Sequence, residues 1–90
     1  MSQEQTSLFD LKEIDTENIR ITLREVYASL EERGYNPTNQ IVGYLISGDP
    51  GYISNYKESR NKILEFDRSE VTALILEEYL DKQWDVWAWI

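Results

Sequence analysis

Thr6 and Ser7 are the side chains of this chain with the clearest chemistry open to them. They lie in Gln5-Thr6-Ser7-Leu8-Phe9-Asp10, a polar, acidic stretch read as an accessible arm, and each hydroxyl can accept a phosphoryl group. A phosphate there adds a charge of about −1.5 to −2 and strong acceptor oxygens, able to pair with arginine or repel an acidic surface. Hydroxyls in polar termini are common and mostly unmodified, so the residues alone leave the ordinary surface reading beside the switch. Other chemistry has little support. There is no histidine, the commonest general base and metal ligand, and no cysteine nucleophile or thiolate ligand. Glu77-Glu78 near Asp81 is the nearest approach to a divalent-cation site, and an exposed acidic helix end explains it better. No catalytic residue, metal site or cofactor is assigned.

Lys57, Arg60 and Lys62 form the main basic cluster, with Glu58 and Glu65 close by. A solvated helix face accounts for them more simply than a phosphate-tracking surface does. The formal charge of −8, from 17 acidic and nine basic side chains, weighs further against nucleic acid. Counterion release by a net basic face supplies most of such affinity.

These side chains need elements to hold them. The 90 residues are 41% hydrophobic, enough for one small core. Met1-Ser2-Gln3-Glu4-Gln5 lacks the basic and apolar regions of a signal peptide. No apolar run approaches the ~20 residues of a membrane span. With no disulfide possible, the reading is a soluble, cytoplasmic domain.

Residues 1–14 read as a mobile N-terminal arm. From Asp15 or Thr16, as cap, the spacing of Ile19, Leu23, Val26, Tyr27 and Leu30 predicts a helix to about residue 33, ended by Gly34. Asn36-Pro37 supplies an N-cap and a preset first helical residue, Gly48 a stop, and Asp49-Pro50 a turn. Between them the apolar Ile41, Val42, Tyr44, Leu45 and Ile46 predict a short helix buried at the centre, with Gly43 marking a close approach. Tyr52-Ile53 reads as a helical turn before a third helix at 55–66. Its apolar face would be Tyr52, Ile53, Tyr56, Ile63 and Phe66. Asp67-Arg68-Ser69-Glu70 reads as a capping box, opening a fourth helix with Val71, Leu74, Ile75, Leu76, Tyr79 and Leu80, to about residue 82. The expected fold is all-α: a compact bundle of about four short helices over 15–83, in a helix-turn-helix-like arrangement. Trp84, Trp87 and Trp89 make a conspicuous tail at 84–90, suited equally to docking on the domain's own core or to serving as a self-association surface or partner anchor.

The ordered set Tyr27-Ala28-Ser29-Leu30, Arg33-Gly34-Tyr35-Asn36-Pro37, Asn39-Gln40-Ile41-Val42-Gly43-Tyr44 and Ser47-Gly48-Asp49-Pro50 resembles the signature of the IreB/ReoM regulatory phosphoproteins. The resemblance covers roughly residues 6–80. It implies a small, helical, non-enzymatic, homodimeric protein of low-GC Gram-positive bacteria. Such a protein is a substrate of the PASTA-type Ser/Thr kinase and its partner phosphatase, and influences cell-wall synthesis and resistance to wall-directed antibiotics. In at least part of the family the unphosphorylated form promotes Clp-dependent degradation of the enolpyruvyl transferase that begins peptidoglycan synthesis. Thr6 matches the family's phosphoacceptor, with Ser7 and the distant Thr16 as lesser alternatives. Arg60 and Arg68 match basic positions and, with Lys57, make the candidate partner-binding set. Leu64 and Glu65 stand where relatives often carry further arginines, which weakens a basic docking surface. The Trp-rich tail lies outside the family pattern.

Two other functions remain open on the sequence. Residues 55–66, with Asn55, Lys57, Arg60, Asn61 and Lys62, could serve as the recognition helix of a DNA-binding regulator. The chain could also be an unswitched dimeric adaptor.

Overall fold

A computed structural model describes residues 13–80 of the protein. Thr6, Ser7 and the tail with Trp84, Trp87 and Trp89 fall outside these residues. Among the described residues every regular element is helical: α1 (Glu13–Glu32), α2 (Pro37–Ser47), α3 (Ser59–Ile63) and α4 (Arg68–Leu80). Short 3-10 turns at Pro50–Tyr52 and Tyr56–Glu58 lie between α2 and α3.

The long helix α1 is the scaffold on which α2, α3 and α4 pack. It begins at Glu13, so Asp15 and Thr16 lie inside the helix instead of capping it. Ile19, Val26 and Leu30 are fully buried along its inner stripe, while Tyr27 stands at the edge, 43% exposed. The core has two parts. Val26 and Leu30 pack with Ile41, Tyr44, Ile53 and Ile63, and Ile19 packs with Val71 and Leu74. Leu23 and Leu45 lie against both parts and join them.

The C-terminal end of α1 and both ends of α2 follow the punctuation in the sequence. Gly34, at φ +94°, lets Tyr35 N–H donate to the Leu30 carbonyl and Gly34 N–H to that of Glu31, a Schellman ending. The Asn36 side chain accepts from Asn39 N–H at 3.0 Å, with Pro37 in the first turn. Gly48, at φ +80°, closes α2 with its N–H on the Tyr44 carbonyl at 2.8 Å. The close approach at Gly43 is made by a ring, not a helix: a Cβ there would lie 2.5 Å from Tyr52 Cδ1.

Two expectations are corrected. The third helix does not run through 55–66. Lys57 and Glu58 both take left-handed backbone angles, φ 55° and 65°, and break it, leaving α3 only from Ser59 to Ile63. Each such residue costs roughly 1 kcal/mol or more, offset by local bonds. Asn55 Oδ1 accepts the N–H groups of Arg60 (3.1 Å) and Asn61 (3.3 Å), and the Asn61 amide donates to Glu58 Oε1 at 2.7 Å. The connection from α2 to α3 is therefore two 3-10 turns, not the tight turn of a DNA-reading pair, and α3 packs on α1. Nor is α2 wrapped on all sides. Ile41 and Tyr44 are buried, but Val42 and Ile46 are 43% and 79% exposed.

Candidate partner-binding surface

The basic residues marked as partner-binding are drawn into joints of the fold. Lys57 Nζ lies 2.9 Å from Glu32 Oε1 at the end of α1, and above the Tyr56 ring, which Arg33 also faces. Arg60 is half-buried and its Nε donates to the Ile53 carbonyl at 2.9 Å. Arg68 Nη1 donates to the Leu45 carbonyl at 3.0 Å. Because α2 has no basic residue in its own last turn, Arg68 supplies the cation that its C-terminal dipole favours. Lys62 lies 3.6 Å from Glu25 on α1. The structure thus separates the three predicted residues and gives each an internal partner.

The electrostatics of these joints are local. Glu32 is held below its ordinary value, first by the hydrogen bond from Lys57 and then by that residue's charge. Lys57 is raised by the same bond and charge. Arg20 joins Glu17 on α1 to Glu78 on α4, at 2.6 and 2.7 Å, and is raised first by its bond to Glu78. This pairing removes Glu78 from the acidic pair considered for a cation. Among the described residues no cluster of acidic, histidine or cysteine side chains could hold a metal ion.

Apolar side chains make the free surface. Of the residues expected inside α4, only Val71 and Leu74 are buried; Ile75, Leu76, Tyr79 and Leu80 are substantially exposed. They flank two hollows. On one side of α4, Leu76 and Ala73 line a cleft of ≈ 790 Å³ with Leu45 and Arg68. On the other, Ile75 faces Leu23, Tyr27, Ile41 and Val42 across a trough of ≈ 500 Å³. Hollows of this size, mostly apolar with a few polar groups at the edge, are where proteins take ligands or partner side chains. Sequence reasoning placed Val42 and Ile46 in a helix buried at the centre, gave Ile75 and Leu76 only as residues of the fourth helix, and so missed this surface. The available signal was an apolar surplus too large for a helix pair to bury.

Thr16 lies half-buried in the first turns of α1, with its backbone already helical. A hydroxyl so held is a poor phosphate acceptor beside one in an extended segment.

Over the described residues, the fold and surface define a small helical protein in which Lys57, Arg60 and Arg68 serve internal joints and the exposed hollows are mostly apolar. Residues 4–81 match the family model described as IreB regulatory phosphoprotein, and the chain belongs to that family. Its expected regulatory phosphoprotein character and all-helical fold stand on that match and on the structure. No helix among the described residues is long and apolar enough to cross a membrane.

Proposed function

We propose that the protein is a non-enzymatic, cytoplasmic regulator, switched by phosphorylation of Thr6 by a PASTA-type Ser/Thr kinase and reset by the cognate phosphatase. Acting as a homodimer, it controls peptidoglycan synthesis and wall-antibiotic resistance by governing Clp-dependent degradation of the first committed enzyme. The observation that carries this reading is the family match, which begins at residue 4 and includes Thr6. The helical, half-buried setting of Thr16 supports the choice of Thr6 over it. In this scheme the partner engages the cleft beside Leu76, where Arg68 presents its guanidinium at an apolar edge. Phosphate on the arm then adds negative charge to the protein and shifts the bound population.

The test is incubation of the full chain with the kinase's catalytic domain, then phosphate mapping by mass spectrometry. Incorporation at Thr6, removed by the phosphatase, is expected. Absence of phosphate from both Thr6 and Ser7 would sink the switch. Identical wall-antibiotic sensitivity of Thr6→Ala and Thr6→Glu strains would leave only an unswitched adaptor.

A further inference from the structure

All three tryptophans of the chain, Trp84, Trp87 and Trp89, lie beyond the last described residue of α4 and beyond the family match, which ends at residue 81. Their apolar area lies outside the matched residues. The described residues, meanwhile, leave an apolar depression that reaches Tyr79, next to the last described residue of α4. The trough facing Val42 shares Leu23, Arg24 and Ile75 with a second hollow of ≈ 390 Å³, which reaches Leu74 and Tyr79 near the end of α4. Together they make one path from the C-terminal end of α4, along α1, to α2.

We propose that residues 84–90 fold back into this path, seating tryptophan side chains between α1, α2 and α4 of the same chain. Reach permits it. Ile75 lies five residues before Leu80, ~8 Å back along the helix at 1.5 Å per residue. Trp84 is four residues past Leu80, ~13 Å of extended chain, and Trp89 nine, ~30 Å. Charge agrees too. Arg20 is taken by Glu17 and Glu78, whereas Arg24, exposed on the trough, has no hydrogen bond or ion pair with any described residue. The segment beyond Leu80 carries Asp81 and Asp85 against one Lys82, a net acidic complement. An indole beside Arg24 also gains cation–π attraction. The tethered segment has the advantage of a high effective concentration.

Because every tryptophan is in the tail, intrinsic indole fluorescence of the full chain reports on the tail alone. The expected result is blue-shifted emission, shielded from acrylamide and unchanged on dilution. Ile75→Asp and Val42→Asp, at sites 42% and 43% exposed, are expected to red-shift it and increase quenching. Leu64→Asp, 44% exposed on the α3 side, should leave it unchanged. Circular dichroism checks that each variant is folded. In the unmutated chain, nuclear Overhauser contacts from indole protons to Ile75 and Val42 methyls supply an arm that needs no variant. Emission of free indole in the unmutated chain, or shielding indifferent to both trough variants, overturns the proposal. Shielding lost on dilution overturns it in favour of a second copy as occupant.

Discussion

Replacing Gly43 by alanine puts two effects of opposite sign on one atom. In an exposed helix interior, Gly→Ala gains about 1 kcal/mol of helix propensity. Here the new Cβ would stand 2.5 Å from Cδ1 and 3.0 Å from Cγ of Tyr52, close to the root of the ring, so the whole ring must swing away. Tyr52 is 51% exposed, so about half of it is covered. An aromatic side chain buries ~150–250 Å² when enclosed, so that half is ~100 Å². At ~25 cal/mol per Å² its loss costs up to ~2.5 kcal/mol. The difference is a net loss of up to ~1.5 kcal/mol, each 1 kcal/mol of which lowers Tm by ~4–8 °C for a domain this size. Urea denaturation followed by circular dichroism measures it. The decisive measurement is the same substitution in a Tyr52→Ala background. With no ring to displace, Gly43→Ala should become stabilising by about 1 kcal/mol, a reversal of sign. If it stabilises by the same amount in both backgrounds, the ring does not rest on Gly43 and the reasoning fails.

Arg68→Met should cost about 1 kcal/mol through the lost bond to the Leu45 carbonyl and the loss of the cation at the end of α2, while Arg68→Lys recovers part of it. Chemical denaturation of the three chains checks the order. Glu32 is held below its ordinary value, so its contribution is full above the unfolded carboxylate range and fades as pH falls through the lower folded value. The gap in denaturation midpoint between the native chain and Glu32→Gln should therefore close on acidification. A gap constant from neutral to strongly acid pH would rule out the Lys57 pairing as its source. Filter binding to arbitrary duplex DNA at low salt should show no retention, since Lys57, Arg60 and Lys62 are committed to α1 and to the Ile53 carbonyl. Tight retention would revive the recognition-helix reading.

What could be read ahead of the structure, and what could not, divides along the range of the interactions involved. The C-terminal end of α1 and both ends of α2 were legible because Gly34, Asn36, Pro37 and Gly48 each act on backbone within a few residues of themselves. The family resemblance drew on the same residues, and the match over 4–81 bears it out. The break at Lys57 and Glu58 was not legible. Neither residue favours a left-handed backbone, and the conformation is held by Asn55, Asn61 and the distant Glu32. The internal bonds of the candidate partner-binding residues were hidden for a related reason. Arg60 and Arg68 look free in a sequence because their acceptors are main-chain carbonyls, which carry no residue-type signal.

Burial was misjudged in the opposite direction. Ile46, Ile75 and Leu76 satisfy helical periodicity, but a stripe broader than its neighbour can cover leaves its margin in solvent. That surplus should be removable cheaply if it serves only as surface, and Leu76→Ser, at a site 56% exposed, should then move stability by no more than about 0.5 kcal/mol. If the cleft beside it holds the partner, the same change should weaken partner binding while the midpoint of unfolding stays put. Calorimetric titration beside chemical denaturation separates the two. A loss of folding stability matching the loss of binding would return Leu76 to the core and leave the cleft without a role.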